Sequence, residues 1–201
     1  MTACPTLETK RLILRPFRDD DLESYFTMMD APELRESLRI PDDQGISEAW
    51  TAMAWWLGQW ELRGTGHWAL EEKVSGSFVG RAGLHNPERH DWPGVEVGWA
   101  LHPDWWGLGY ATEAGEEAVR YGFEELGQDC LYSTILVDNH RSQLVAQRLG
   151  FVLVDTKTLS HYPTEPHGIW ALGRESWRYL AKPKVRFTPS SVILSFWSRF
   201  T

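Results

Sequence analysis

The sequence predicts an α/β domain of the mixed (α+β) kind: one central mixed sheet of about seven strands flanked by about four helices. Three observations predict it. Short segments with apolar residues at every second position are interspersed with longer ones whose apolar residues recur at helical spacing. Their order is strand, two helices, three strands, helix, strand, helix, two strands. The run from Leu101 to Ala114 joins a strand end, a glycine turn and a helix start.

The first strand is read at 11–17, with Leu12 and Leu14 on one face. Pro16 lacks an N–H, which suits an edge or a strand end. Asp19 or Asp20 is positioned to cap the helix that carries Leu22, Tyr25, Phe26 and Met29 on one face. Ala31-Pro32 closes it, and 33–38 add a short helical turn. Ser47 suits the N-cap of a second helix ending near Gly64. That helix carries Trp50, Trp55, Trp56 and Trp60, which read either as core or dimer contact or as a wall of an acceptor pocket.

Segments 66–72 and 77–85 form a hairpin or meander turning near Ser75-Gly76, and 86–94, with two prolines and a glycine, are a loop. In the strand at 95–101, Val95, Val97, Trp99 and Leu101 share one face, and Glu96, Gly98 and Ala100 the other. A helix over 112–126 follows the glycine turn. Its small residues Ala114, Gly115, Ala118 and Gly122 let it lie close to a sheet. A strand at 131–137 leads to Asp138-Asn139, an N-cap pair for a helix at 140–149. Strands at 151–156 and 168–173, joined by a loop with prolines and histidines, complete a domain over 6–180. The segment 181–201 reads as a C-terminal tail without assigned structure.

The 201 residues suffice for one domain with a proper core. A formal net charge of −8 argues against non-specific nucleic-acid binding, which draws on Lys and Arg, and suits an amine or basic peptide as partner. Cys4 and Cys130, the only cysteines, make neither a disulfide framework nor a zinc pattern. The histidines, among them His67, His85, His90 and His102, show no metal-ligand spacing and read as structural or solvated; no metal is expected. No apolar run is long enough to span a membrane, and no signal peptide precedes the first strand. The expectation is a cytoplasmic monomer or homodimer with no membrane partner.

Gly107 and Gly109 allow tight backbone and close ligand approach, and the helix after them offers unpartnered N–H groups and a positive dipole end. That combination is an anion site, most often for phosphate. The dinucleotide fingerprint fails because Thr112 stands where its last glycine belongs, and no nucleotide-triphosphate loop string occurs. Trp106-Gly107-Leu108-Gly109-Tyr110-Ala111 resembles the Q/R-x-x-G-x-G/A pyrophosphate motif of the GNAT acetyltransferase superfamily. The longer string from Trp105 to Ala114 is similar to the YWGKGYATEA signature of its RimJ/RimL-type branch. Three further segments resemble that branch in the right order: Thr6 to Phe17, Val95 to Leu101, and Asn139-His140-Arg141-Ser142 followed by Leu149-Gly150-Phe151.

The resemblance implies acetyl-CoA as donor, a primary amine as acceptor (a protein N-terminus or a small molecule), and direct attack in a ternary complex. It implies that Trp106, Gly107, Leu108, Gly109, Tyr110, Ala111 and Thr112 hold the pyrophosphate, mainly by backbone, since Leu108 replaces a basic residue common in the family. Backbone groups of Trp99, Ala100 and Leu101 are expected to pair with the pantetheine amides. Glu96 is the candidate base, against the alternative of a glutamate on a solvated sheet face. Ser142 is the candidate acid or hydrogen-bond partner of the CoA sulfur. Asn139 holds the pantetheine arm or a water, or only caps its helix. Arg141 and Arg148 are in range of the CoA phosphates or make exposed salt bridges. The loops at 86–94 and 160–167 are the expected rims of an aromatic acceptor site. Ala146 stands where many members carry a tyrosine acid, and that departure supports an alternative, a non-catalytic acyl-CoA-binding sensor.

Overall fold

A computed structural model describes residues 4–181. Strands β1 (Leu7–Glu8) and β2 (Leu12–Arg15) precede helices α1 (Leu22–Asp30), α2 (Pro32–Leu38) and α3 (Ile46–Arg63). Strands β3 (His67–Glu72), β4 (Phe78–His85) and β5 (Glu96–Leu101) follow. Helix α4 (Tyr110–Glu124) crosses over to β6 (Cys130–Leu136), and α5 (His140–Arg148), β7 (Val152–Leu159), β8 (Tyr162–Gly173) and α6 (Arg174–Ala181) complete the order. All eight strands form one sheet in the order β1-β2-β3-β4-β5-β6-β8-β7. Its neighbours are antiparallel except β5 and β6, which run parallel. This is the expected mixed α/β domain. The short helical turn read at 33–38 is α2, and the elements beyond the sequence reading are β1 and α6. The tail read at 181–201 lies, beyond Ala181, outside the described residues.

Each face of the sheet has its own helices, for the reason the strand alternation suggested. Val97 and Leu101 point with Leu12, Trp68 and Leu84 toward α4, whose Ala114 and Ala118 are fully buried there. Gly122 permits that approach, since a Cβ on it would stand 2.9 Å from Leu131 Cδ1. On the opposite face Ala69 and Ala100 are covered by Phe17, Tyr25, Met28, Met53 and Trp56. The tryptophans of α3 divide accordingly: Trp56 and Trp60 are buried and Trp50 is exposed.

The parallel pair is the one place where the sheet opens. Glu96 and Tyr132 are its only paired position, with Tyr132 N–H donating to Val95 O at 2.9 Å. Two residues on, Thr134 N–H donates instead to Glu96 Oε1 at 3.0 Å, and its hydroxyl donates to the same oxygen at 2.5 Å. A continued parallel ladder would use that N–H for β5 backbone. The carboxylate takes it, and the strands part.

Several boundaries differ from the sequence reading. Helix α4 begins at Tyr110, two residues early, because Gly109 adopts φ +84° and serves as its N-cap. Ser47 lies inside the first turn of α3; Gly45 is the N-cap, its N–H donating to Glu48 Oε2 at 2.8 Å. Asp19 and Asp20 open a 3-10 turn, while Asp21 makes the structural contacts. Strand β8 begins at Tyr162, within the span read as a loop. Its Pro163 and Pro166 are tolerated because β6 pairs only from His167 onward, leaving their outer edge without a ladder.

Asp21 accepts both Nη1 and Nη2 of Arg15 at 2.7 Å, and Glu71 accepts Arg15 Nε at 2.7 Å. This buried fork pins β2 and β3 to the entrance of α1. Asp21→Ala leaves the guanidinium half-paired in the interior. We expect it to cost about 3 kcal/mol in urea unfolding, within the range for broken buried pairs; a loss below about 1 kcal/mol would count against the fork as a structural tie.

Candidate active site

Where β5 and β6 part, a cleft of about 1420 Å³ opens between β5, the glycine turn with the start of α4, and α5. A second cavity of about 270 Å³ lies under Trp55, Trp56 and Trp92 and is lined by Glu96 and His85. The two share Trp99, Asn139 and Ser142, so they meet at the fork.

The glycine turn shapes the large cleft. Gly107 has φ +77° and Gly109 φ +84°, a left-handed pair that side chains resist. The first helical bond of α4 runs from Glu113 N–H to Gly109 O at 3.0 Å, so the N–H groups of Tyr110, Ala111 and Thr112 have no acceptor within the helix. A cleft of this size ending on such a turn fits an extended donor carrying a diphosphate. Leu108 does not line it; its side chain is about half exposed. Its carbonyl accepts from Arg11 Nη1 at 2.9 Å. Arg11 Nε donates to Glu113 Oε2 at 2.6 Å, and Thr9 Oγ1 donates to Glu113 Oε1 at 2.6 Å. Burial works against ionisation of Glu113, but these donors prevail and hold its pKa below the ordinary value. Sequence reasoning missed Arg11, because its partners lie about a hundred residues away; no local pattern marks it.

The antiparallel register with β4, continued by His102 N–H to Val79 O at 3.0 Å, turns the backbone groups of Trp99 and Leu101 toward the fork and those of Ala100 toward β4. Ala100 therefore borders the cleft without offering its backbone. Leu101 O is also taken, by Trp106 Nε1 at 2.7 Å, so Trp106 braces the strand end. Arg141 lies over the Trp106 ring, 4.8 Å from its centroid, and both Arg141 and Arg148 line the cleft. Asn139 caps α5, accepting Ser142 N–H at 3.1 Å, and donates to Ser37 O at 3.1 Å. Its amide is thus committed to joining α2 and α5. Ala146 is fully buried and lines neither cavity.

Glu96 is 7% exposed, so it is no solvated surface glutamate. Oε1 is held by Thr134, and Oε2 lies 3.3 Å from His85 Nδ1. The other nitrogen, His85 Nε2, is buried with no partner. Sequence reasoning listed His85 among scattered histidines; only the register pairing His85 with Glu96 across β4 and β5 brings them together. His67 stacks on Trp56 at 3.9 Å and meets Arg81 Nη1 through Nδ1 at 2.8 Å. Arg81 must donate there, so His67 accepts and carries its proton on Nε2. Burial, then the positive charges of Arg81 and His85, hold its pKa well below 6.5. The loop at 86–94 supplies Arg89 and Trp92 to this cavity, and His161, Tyr162 and His167 close it from β8 and the turn before it. Residues of both loops border this cavity, the second partly as strand.

Comparison with known proteins agrees with this geometry. The family model described as an acetyltransferase (GNAT) domain matches residues 11–152. The chain belongs to the GNAT acetyltransferase family. It is 30% identical over 196 residues to FsC-acetyl coenzyme A-N(2)-transacetylase of Aspergillus fumigatus, covering 91% of this chain and 82% of that protein. The crystal structure of an acetyltransferase from Agrobacterium tumefaciens is 29% identical and superposes with a TM-score of 0.74, covering 86% of this chain and 96% of that one. A putative ribosomal-protein-serine acetyltransferase from Vibrio cholerae shares the fold at 20% identity, with a TM-score of 0.70, covering 86% of this chain and 99% of that one. GNAT acetyltransferases use acetyl-CoA, and this chain is an enzyme of that kind. Among the described residues no helix is long and apolar enough to cross a membrane.

Burial, first among the causes, also lowers the pKa of His161 and His167. The unfolded chain takes up protons near pH 6.5 while these sites resist them, so stability is full above that pH and falls as the pH drops through it. The melting temperature should fall between about pH 7.5 and about pH 5.5, and the fall should be shallower in His67→Asn. An equal slope in that variant would remove His67 from the effect.

Proposed function

We propose that this enzyme is an N-acetyltransferase in which a primary amine, bound in the smaller cavity, attacks the thioester of acetyl-CoA directly. The observation that carries the reading is the meeting of the two cavities at Trp99, Asn139 and Ser142, beside the Glu96–His85 pair. The relative named as an N(2)-transacetylase supports nitrogen as the acceptor atom. We assign the chain to the RimJ/RimL-type branch on the string from Trp105 to Ala114; the likeness to a ribosomal-protein acetyltransferase concerns the fold alone.

The N–H groups of Tyr110, Ala111 and Thr112 receive the pyrophosphate, helped by the helix dipole, with Arg141 and Arg148 beside them. Val97, Trp99 and Leu101 offer backbone to the pantetheine arm as a partial strand. With the donor so held, Glu96 and His85 act as a unit. Glu96, anchored by Thr134, keeps the proton of His85 on Nδ1, which leaves Nε2 free to accept the proton of the amine. A nitrogen–carbon bond forms as the carbon–sulfur bond breaks, and the departing thiolate, with Ser142 as its hydrogen-bond partner, takes a proton from solvent, to which His85 returns the one it received from the amine. No covalent enzyme intermediate is required. Ala146, buried in the core, offers no proton to the thiolate, so the sensor alternative is kept as an outcome of the test below.

Glu96→Gln keeps the acceptor for Thr134 but presents an amide N–H toward His85 Nδ1, which moves the histidine proton onto Nε2. We expect kcat to fall about a hundredfold, in the range for lost acid–base catalysis, with acetyl-CoA affinity changed less than about twofold. Thiol release over a panel of amines measures the first and calorimetry the second; an unchanged pH–rate profile would remove the pair from the mechanism. Gly109→Val forces a β-branched residue to φ +84° and should weaken CoA binding about tenfold or more. Undiminished affinity would argue against the turn as the phosphate site, and tight binding with no transfer to any amine would favour the sensor.

A further inference from the structure

The smaller cavity has an imbalance that amine binding alone does not explain. Glu96 is the one carboxylate among its lining residues, against two guanidiniums, Arg81 and Arg89. Neither makes an ion pair with a carboxylate among the described residues. Besides His67 Nε2, three buried N–H donors of this lining have no acceptor: Arg81 Nε, Arg89 Nη1 and Trp92 Nε1. They come from two separate elements, β4 and the loop at 86–94. Buried donors are nearly always satisfied, and these two half-buried guanidiniums have no carboxylate partner. The arginines are not flexible surface groups: Arg81 lies over Trp56 at 4.9 Å, and Arg89 over Trp92 at 4.8 Å from the ring centroid. Each is held by an aromatic face with its remaining donors unspent.

The charge pattern has a direction. On the shared face of β4 and β5, His85 pairs with Glu96 at one end, Gly83 with Gly98 in the middle, and Arg81 with Ala100 at the other. The amine end and one cation thus stand at opposite ends of this face, with the His67 imidazole seated against Gly98 between them. A diamine or polyamine would bring its second positive charge against two guanidiniums. A neutral amine would leave their donors orphaned.

We propose that the acceptor is a small amine that also carries a carboxylate, an amino acid in the general sense, and that Arg89 and Arg81 receive the carboxylate while Glu96 and His85 face the amine. This rests on the reading of the smaller cavity as the acceptor site. The size agrees: about 270 Å³ lies below the roughly 300–1,000 Å³ of cavities that hold drug-sized ligands, so a single amino acid is the scale of guest that it encloses. Trp92 Nε1 adds a third donor, and a carboxylate supplies both acceptor oxygens and the counter-charge that the guanidiniums lack.

The test compares matched acceptors. Alanine, methionine and phenylalanine, their carboxamides and their decarboxylated amines are assayed for kcat/KM by thiol release from acetyl-CoA. Tripeptides beginning with aspartate test whether the carboxylate comes instead from a protein N-terminus. The free acids should exceed the carboxamides by about ten- to a hundredfold, the size of a lost charge-assisted hydrogen bond, and the peptides should be poor. Arg89→Gln should erase most of that preference and Arg89→Lys should keep part of it. Equal rates for acid and carboxamide, a preference for diamines, peptides as good as free amino acids, or an unchanged ratio in Arg89→Gln would overturn the proposal. A second measurement needs no turnover: tryptophan fluorescence titrated with N-acetylphenylalanine and its carboxamide, in the native enzyme and in Arg89→Gln. Preference for the acid, lost in the variant, supports the carboxylate site even if no amine is acetylated, in which case the transferase reading alone falls. Amines acetylated without regard to a carboxylate would leave that reading standing and sink this one.

Discussion

The bond from Thr134 N–H to the Glu96 carboxylate decides the shape of this enzyme. A parallel pair that had zipped past Glu96 and Tyr132 would be a continuous sheet with nowhere for a donor to lie. The carboxylate supplies the acceptor that the β5 backbone would have supplied, so β6 loses no hydrogen bond by leaving. Opening the sheet then costs little, and the exposed edge of β5 becomes a strand-like surface for an extended ligand. The same carboxylate turns its other oxygen toward His85. One side chain thereby ties the formation of the donor cleft to the chemistry at its end.

The second constraint is the glycine turn, and it is held from outside. Two residues with positive φ would relax readily if nothing fixed them. Glu113, in the first turn of α4, binds Thr9 and Arg11, and Arg11 binds back to the carbonyl of Leu108. The first strands of the chain are thus fastened to the turn that ends the fifth. A glutamate near a helix N-terminus is favourable for the dipole in any case; here it also positions the backbone that faces the donor.

The helices α2 and α3 supply what the sheet lacks, a wall for the smaller cavity. Trp56 is both core and wall: it packs in the cluster of α1 and α3 and stacks on His67. That stack keeps His67 neutral and dry, with Gly98 beneath it, where a Cβ would come within 3.1 Å of the imidazole. Trp56 thus packs in the core and lines the smaller cavity at once.

Periodicity alone determined most of the architecture. Alternation placed β3 to β6 within a residue or two, and it put Val97 and Leu101 on one face and Glu96, Gly98 and Ala100 on the other. The glycines at 107 and 109 marked the left-handed turn before α4, because φ is a local property that a short string encodes. Short elements such as α6 escaped, as did the strand through Pro163 and Pro166, whose tolerance depends on which edge is left unpaired. The tertiary structure alone decided which polar groups meet. Arg11 with Glu113, His85 with Glu96, and Arg81 and Arg89 around one small cavity are pairings of residues distant in sequence or on adjacent strands in a particular register. Sequence spacing carries the direction a side chain points, but register and strand divergence fix what it points at.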